Sequence, residues 1–201
     1  MKLFYKPGAC SLSPHIVLEE TGLSYDSEVV DLKNKVTASG ADFWQINSKG
    51  YVPALLLDSG ELLTEGPAIV QYLADLVPAK KLAPANGTIE RYRLQSWLTF
   101  IGTELHKSCS PFFNPAAGDD WKNIARANLE RRLGYTDQQL AGQAYLLGED
   151  FSVADAYLFT VLSWMKFVGL DLSGWPNIVA FQARVAARRA VQAALKAEGL
   201  A

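Results

Sequence analysis

The sequence predicts an α/β domain followed by an all-helical domain, on three observations. Strand and helix patterns alternate over residues 1–78, and a stretch rich in Ala, Pro, Asn and Gly follows at 79–87. From 88 to 201 the apolar residues recur only at helical spacing. The chain has 201 residues, 49% of them hydrophobic and 20% charged, which is enough apolar material for a packed core.

Residues 2–6 form a short apolar run and read as the first strand. Residues 11–20 read as a helix that Thr21-Gly22 ends, with Gly22 at the C-cap. A second strand spans 25–32 around Val29-Val30, and 40–46 reads as a short helix or irregular segment. The third strand is 51–57, Asp58-Ser59-Gly60 is a hairpin turn, and 61–64 pairs back as the fourth strand. Glu65-Gly66-Pro67 opens a helix with Pro67 where a missing N–H costs nothing, and Ile69, Val70, Tyr72 and Leu73 form its apolar face. The order is β-α-β-α-β-β-α, so the four-stranded sheet is mixed, parallel in the first βαβ unit and antiparallel in the late hairpin. Beyond the linker, Leu94, Leu98, Ile101 and Leu105 mark one long helix that Ser110-Pro111 ends or kinks. Further helices are expected at 119–141, at 152–168 and after Trp175-Pro176, where Ile178, Phe181 and Val185 share a face. Ser152-Val153-Ala154-Asp155 has the pattern of a capping box and reads as folding information.

A net charge of −2 argues against nucleic acid or an anionic membrane as partner. No apolar stretch is long enough to span a bilayer, and residues 1–6 lack the apolar core of a signal peptide. Two cysteines cannot make a disulfide scaffold, and no cluster has zinc-ligand spacing. A cytoplasmic protein with reduced Cys10 and Cys109 is the expectation.

Cys10 stands at a strand-to-helix turn, where N–H groups and the helix dipole favour a thiolate; it reads either as a reactive thiol or as a small packed residue. Ser13 occupies the place of a resolving thiol, so a dithiol centre is not expected, although a mixed disulfide with a small thiol is. Val52-Pro53 reads as an edge-strand proline, or as a cis bond that turns the Val52 backbone toward a peptide-like ligand. Glu65-Gly66 reads as a helix-start acid or as a grip on an amino-acid head group. Thr99, Thr103 and His106 share a helix face flanked by Glu104 and Lys107. That face is either a solvated surface or one from which His106 donates to a thiolate. His15 and Cys109 read as structural.

In their order and spacing these segments resemble the soluble glutathione S-transferases, and specifically their bacterial beta class. The carrying residues are Phe4 to Leu12, Tyr51-Val52-Pro53-Ala54-Leu55, Leu63 to Ile69, Thr103-Glu104-Leu105-His106-Lys107 and Ser152 to Tyr157. The resemblance implies a thioredoxin-like N-terminal domain at 1–78 that binds glutathione, a linker at 79–87, and a helical domain at 88–201 that lines the electrophile site. It implies a cis Val52-Pro53 bond with Tyr51, Val52 and Pro53 against glutathione, and Val52 pairing with its cysteinyl part. Lys35 would meet the glycyl carboxylate, and Glu65 and Gly66 the γ-glutamyl group. Cys10 would lie near the glutathione sulfur, with Ser11, His106 and Lys107 as the other candidate catalytic residues. Thr99, Thr103 and Glu104 would complete the partner subunit's site in a homodimer. Glutathione serves as cosubstrate and no cofactor or metal is implied. The expected reaction is attack of the glutathione thiolate on a hydrophobic electrophile in a cleft lined by Phe112, Phe113 and Trp164. Two alternatives are a glutathione-dependent thiol–disulfide transferase or peroxidase with Cys10 as nucleophile, and a non-enzymatic interaction protein on the same fold.

Overall fold

A computed structural model describes residues 1–201. In chain order the elements are β1 (Lys2–Tyr5), α1 (Leu12–Thr21), β2 (Asp26–Asp31), β3 (Val36–Thr37), α2 (Phe43–Ile46), β4 (Ala54–Leu56), β5 (Leu62–Thr64) and α3 (Gly66–Leu76). There follow α4 (Ile89–Phe100), a π-helical segment (Ile101–His106), α5 (Lys107–Phe113), α6 (Asp119–Gln139), α7 (Val153–Leu162), α8 (Pro176–Ala186) and α9 (Arg189–Ala197). Two compact units result, residues 1–82 with 187–201, and residues 83–186.

The first unit is built on a sheet of order β3-β2-β1-β4-β5. The β1–β2 pair is parallel and the other pairs are antiparallel, so the sheet is mixed as expected. It has five strands where four were expected. The extra strand, β3, has only two residues, too short to show a period of two. It pairs with β2 through Val30 and Asp31, after a turn in which the Asp31 carboxylate accepts from the backbone of Lys33 and Asn34. The third strand is also shorter than expected. Its ladder begins at Ala54, because the Val52-Pro53 bond is cis and proline has no N–H to give. Leu3 of β1, Leu55 of β4 and Ile16, Val17 and Leu18 of α1 are fully buried. α1 packs against both α3 and α9, so most of its residues are buried, Ser13, His15 and Thr21 among them. The C-terminal residues fold here because Arg188 makes a two-pronged bond to Glu20, at 2.6 and 3.0 Å, and α9 buries Val191 and Ala194.

In the second unit Thr88 caps α4 by accepting from Arg91 N. The long helix does not stop at Ser110. α5 carries Pro111 inside it and continues to Phe113. The third expected helix is shorter than the sequence suggests, ending as α7 at Leu162, where Ser163 Oγ donates to the Thr160 carbonyl. All ten residues of α7 are buried, and its start is fixed by the expected box. Ser152 N and Oγ donate to Asp155 Oδ2 at 2.8 and 2.7 Å, and Leu146 N donates to Oδ1 at 2.9 Å. Burial pushes the Asp155 carboxyl up to about 6 despite these bonds.

Candidate active site

The turn between β1 and α1 presents Cys10 one residue ahead of Ser11, the N-cap of α1. Gly8 takes φ +70°, a conformation that suits glycine, and this allows the tight passage. The Cys10 Sγ donates to the Val52 carbonyl at 3.3 Å, so the cis Val52-Pro53 bond and the thiol form one local structure. Ser11 is fully buried. Its hydroxyl donates to the Lys6 carbonyl at 3.2 Å and accepts from Lys6 N at 3.1 Å. A hydroxyl has one proton, and here it goes to Lys6 and not to a thiol. Ser11 therefore shapes the turn.

Around this centre the first unit gathers the other expected residues. Lys35 sits at φ +58° and donates to the Gly50 carbonyl at 2.6 Å, with its ammonium 5.3 Å from the Trp44 ring centre. Gly50 takes φ +68°, and a Cβ there would meet the Trp44 ring at 2.4 Å, so the residue must be glycine. The Tyr51 hydroxyl donates to Glu65 Oε1 at 2.7 Å, and Lys49 Nζ meets the same oxygen at 2.6 Å. The Glu65 carboxylate holds the Tyr51 phenol above its ordinary value. Glu65 itself adopts φ +70°, a strained conformation for a residue with a side chain. Gly66 opens α3 with the Pro53 ring 3.8 Å from where a Cβ would stand.

Sequence reasoning missed Glu198. Its side chain, fully buried, accepts from Gly8 N at 2.8 Å and meets His15 Nδ1 at 2.8 Å. Glu198, the C-cap of α9, thus braces the turn that carries Cys10. The spacing gave no signal, because His15 and Glu198 lie 183 positions apart.

The second unit holds the remaining expected residues. Thr99 and Thr103 are exposed, and their hydroxyls donate to carbonyls four residues back, at 2.8 and 3.0 Å. Glu104 is held by Arg132, with Nε and Nη2 both at 2.6 Å. His106 closes the π segment and Lys107 opens α5. His106 Nδ1 lies 2.7 Å from the Tyr157 hydroxyl, and its ring stands edge-on to Trp164 at 4.8 Å. Burial, with Lys107 adding to it, pushes the imidazole down to about 4. Phe113 packs edge-on against Trp164 at 6.1 Å, while the guanidinium of Arg126 covers Phe112 at 5.4 Å. Cys109 is buried, donates to the Leu105 carbonyl at 3.4 Å and is pushed up to about 12 by burial. It is a packing residue.

Comparison with known proteins places these features in one family. Residues 1–75 match the family model for the glutathione S-transferase N-terminal domain, and 100–189 that for the C-terminal domain. The chain is 50% identical over 200 residues to glutathione S-transferase GstA of Escherichia coli O157:H7, covering 100% of both chains. Among solved structures it resembles a ternary complex of BphK, a bacterial glutathione S-transferase, at 62% identity and a TM-score of 0.98 with 100% of both chains covered. It also resembles the beta-class glutathione S-transferase of Sphingomonas chungbukensis, at 51% identity and a TM-score of 0.97, again over 100% of both chains.

Proposed function

The chain belongs to the glutathione S-transferase family, in its bacterial beta class, and conjugates glutathione; within that activity we propose that Cys10 stands beside the glutathione sulfur, and that with oxidised glutathione the Cys10 thiolate displaces one reduced glutathione and keeps the other half as a mixed disulfide that a further thiol releases. One observation carries this reading, the Cys10 thiol at 3.3 Å from the carbonyl of Val52 at the cis Val52-Pro53 bond. A peptide that pairs with the Val52 backbone as an added strand places its own cysteine next to that thiol.

Lys35 supplies the cation for the glycyl carboxylate. Glu65, oriented by Lys49 and Tyr51, takes the γ-glutamyl ammonium, while the start of α3 at Gly66 takes its carboxylate. Ser11 and Glu198 hold the turn. His106 and Lys107 are assigned to the glutathione thiol, and Phe112, Phe113 and Trp164 to a hydrophobic electrophile. Thr99, Thr103 and Glu104 complete the γ-glutamyl site of a partner in a homodimer. No helix is long and apolar enough to cross a membrane. The setting of this chemistry is the cytoplasm, where thiols stay reduced, and its use is the removal of reactive electrophiles.

The protein lowers the barrier by binding the thiol and the electrophile in one orientation and by hydrogen-bonding the sulfur as it turns negative. Cys10→Ala, assayed in parallel for conjugation of chlorodinitrobenzene and for reduction of a glutathione mixed disulfide, tests the division of labour. Conjugation persists and disulfide reduction is lost in this account. Equal loss of both would make Cys10 the nucleophile of a thiol transferase.

A further inference from the structure

The proposed reaction uses His106 but gives no part to Tyr157, whose hydroxyl lies 2.7 Å from His106 Nδ1. We infer that Tyr157 donates to Nδ1 and so fixes His106 in the tautomer that carries its proton on Nε2, making that edge of the ring a hydrogen-bond donor for the glutathione sulfur. The last step rests on the role proposed above for His106; the tautomer does not.

The ring is neutral at working pH, since burial holds it at about 4. A neutral imidazole has one N–H and one lone pair, so whatever meets Nδ1 decides what Nε2 offers. A phenol is a good donor and a poor acceptor, because its oxygen lone pair is delocalised into the ring. The imidazole lone pair is the strongest neutral acceptor among side chains. The bond therefore runs from Tyr157 O–H to Nδ1, and the proton is left on Nε2. Such a bond also draws electron density from the ring and strengthens donation from Nε2.

Both partners are held in this geometry. The Trp164 ring stands edge-on to His106 at 4.8 Å and 68°, and Phe113 stands edge-on to Trp164. Tyr157 meets the imidazole edge-on at 5.9 Å and is buried in α7, whose start Ser152 and Asp155 fix. His106 arrives by way of the π segment, in which Lys107 N bonds back five residues to the Gly102 carbonyl. Such local widenings of a helix are frequent where a side chain serves a function. Tyr157 is a positioning residue, acting on the reaction only through His106.

Nitrogen NMR of the intact protein with labelled histidine reads the tautomer directly, with His15 assigned by a His15→Gln control. The expected result is a single neutral form of His106 protonated on Nε2, with Nδ1 accepting a hydrogen bond. In Tyr157→Phe, which keeps the ring and removes the hydroxyl, that bond signature disappears. The thiol of bound glutathione, followed by thiolate absorbance, then titrates at higher pH. Turnover of chlorodinitrobenzene at neutral pH falls about tenfold while KM for glutathione stays within about twofold. A His106 proton on Nδ1 in the unmodified protein overturns the proposal, even if Tyr157→Phe fails to fold. So does an unchanged thiol titration in Tyr157→Phe when His106→Phe shifts it. If His106→Phe itself leaves the titration unchanged, the assigned role of His106 falls, and the catalytic step of this proposal falls with it.

Discussion

The two histidines of the chain have opposite surroundings. His15, in the first unit, meets the Glu198 carboxylate and lies between the rings of Tyr5 and Tyr25, fully enclosed. His106, in the second, meets a neutral phenol within an aromatic ladder at the end of a π segment. A carboxylate partner makes His15 part of a brace between the C-terminus and the thiol turn. A phenol partner leaves His106 neutral with one defined donor edge. The two cysteines divide in the same way, Cys10 on a backbone carbonyl at the site and Cys109 on its own helix in the core. Residue type therefore says little about role in this protein, and the group that faces each residue says most.

The largest expected effect lies on the His15 side. Glu198→Ala removes the carboxylate that Gly8 N and the buried His15 share, and thermal unfolding should report a loss of about 3–5 kcal/mol for the two bonds. Glu198→Gln keeps an acceptor for Gly8 and should lose less. Equal stability of Glu198→Ala and the parent protein would show that the brace contributes nothing.

On the His106 side the expected effect is a pH dependence. The folded value of about 4 lies below the ordinary 6.5, so between those limits the unfolded chain binds a proton that the native one does not. Stability present above 6.5 is therefore lost as the pH falls toward 4, by up to about 3 kcal/mol. Asp155, raised to about 6 from 3.8, acts in the opposite sense, because the native state holds that proton more tightly. Denaturant unfolding of the parent protein and His106→Phe across this range separates the two, and the difference should grow as the pH rises. A constant difference would mean that the imidazole titrates normally. The smallest effect belongs to Ser152→Ala. Loss of this cap should cost about 1 kcal/mol while turnover per folded molecule is kept. Loss of turnover at unchanged stability would give Ser152 a part in catalysis.

Much of the first unit was legible in the sequence, because β1, β2, β4 and β5 carry apolar patterns and the Val52-Pro53 pair marks its own interruption. β3 was not, having two residues and a pairing fixed by the Asp31 turn. The π segment left no trace, since bonds spanning five residues produce no apolar repeat of their own and the stripe from Leu94 to Leu105 reads as one α-helix. Within the candidate site, turn chemistry singled out Cys10, Val52 and Pro53 but left a packed thiol and an edge-strand proline open beside the ligand reading, and only the family resemblance chose between them. Ser11 was a candidate catalytic residue through the resemblance alone, and its bonds to the Lys6 backbone, at 3.1 and 3.2 Å, could not be read from spacing. Glu198 and Tyr157 escaped notice because their partners lie 190 and 51 positions away. Such contacts exist only once the chain has folded.

The most direct test of the account is the site of attack by oxidised glutathione. The reduced protein, exposed to it and analysed by intact mass and peptide mapping, should carry one glutathione per chain, on Cys10 and not on Cys109, and lose it on reduction. A Cys10 that stays unmodified, or modification shared equally with the buried Cys109, would contradict the placement of Cys10 beside the glutathione sulfur.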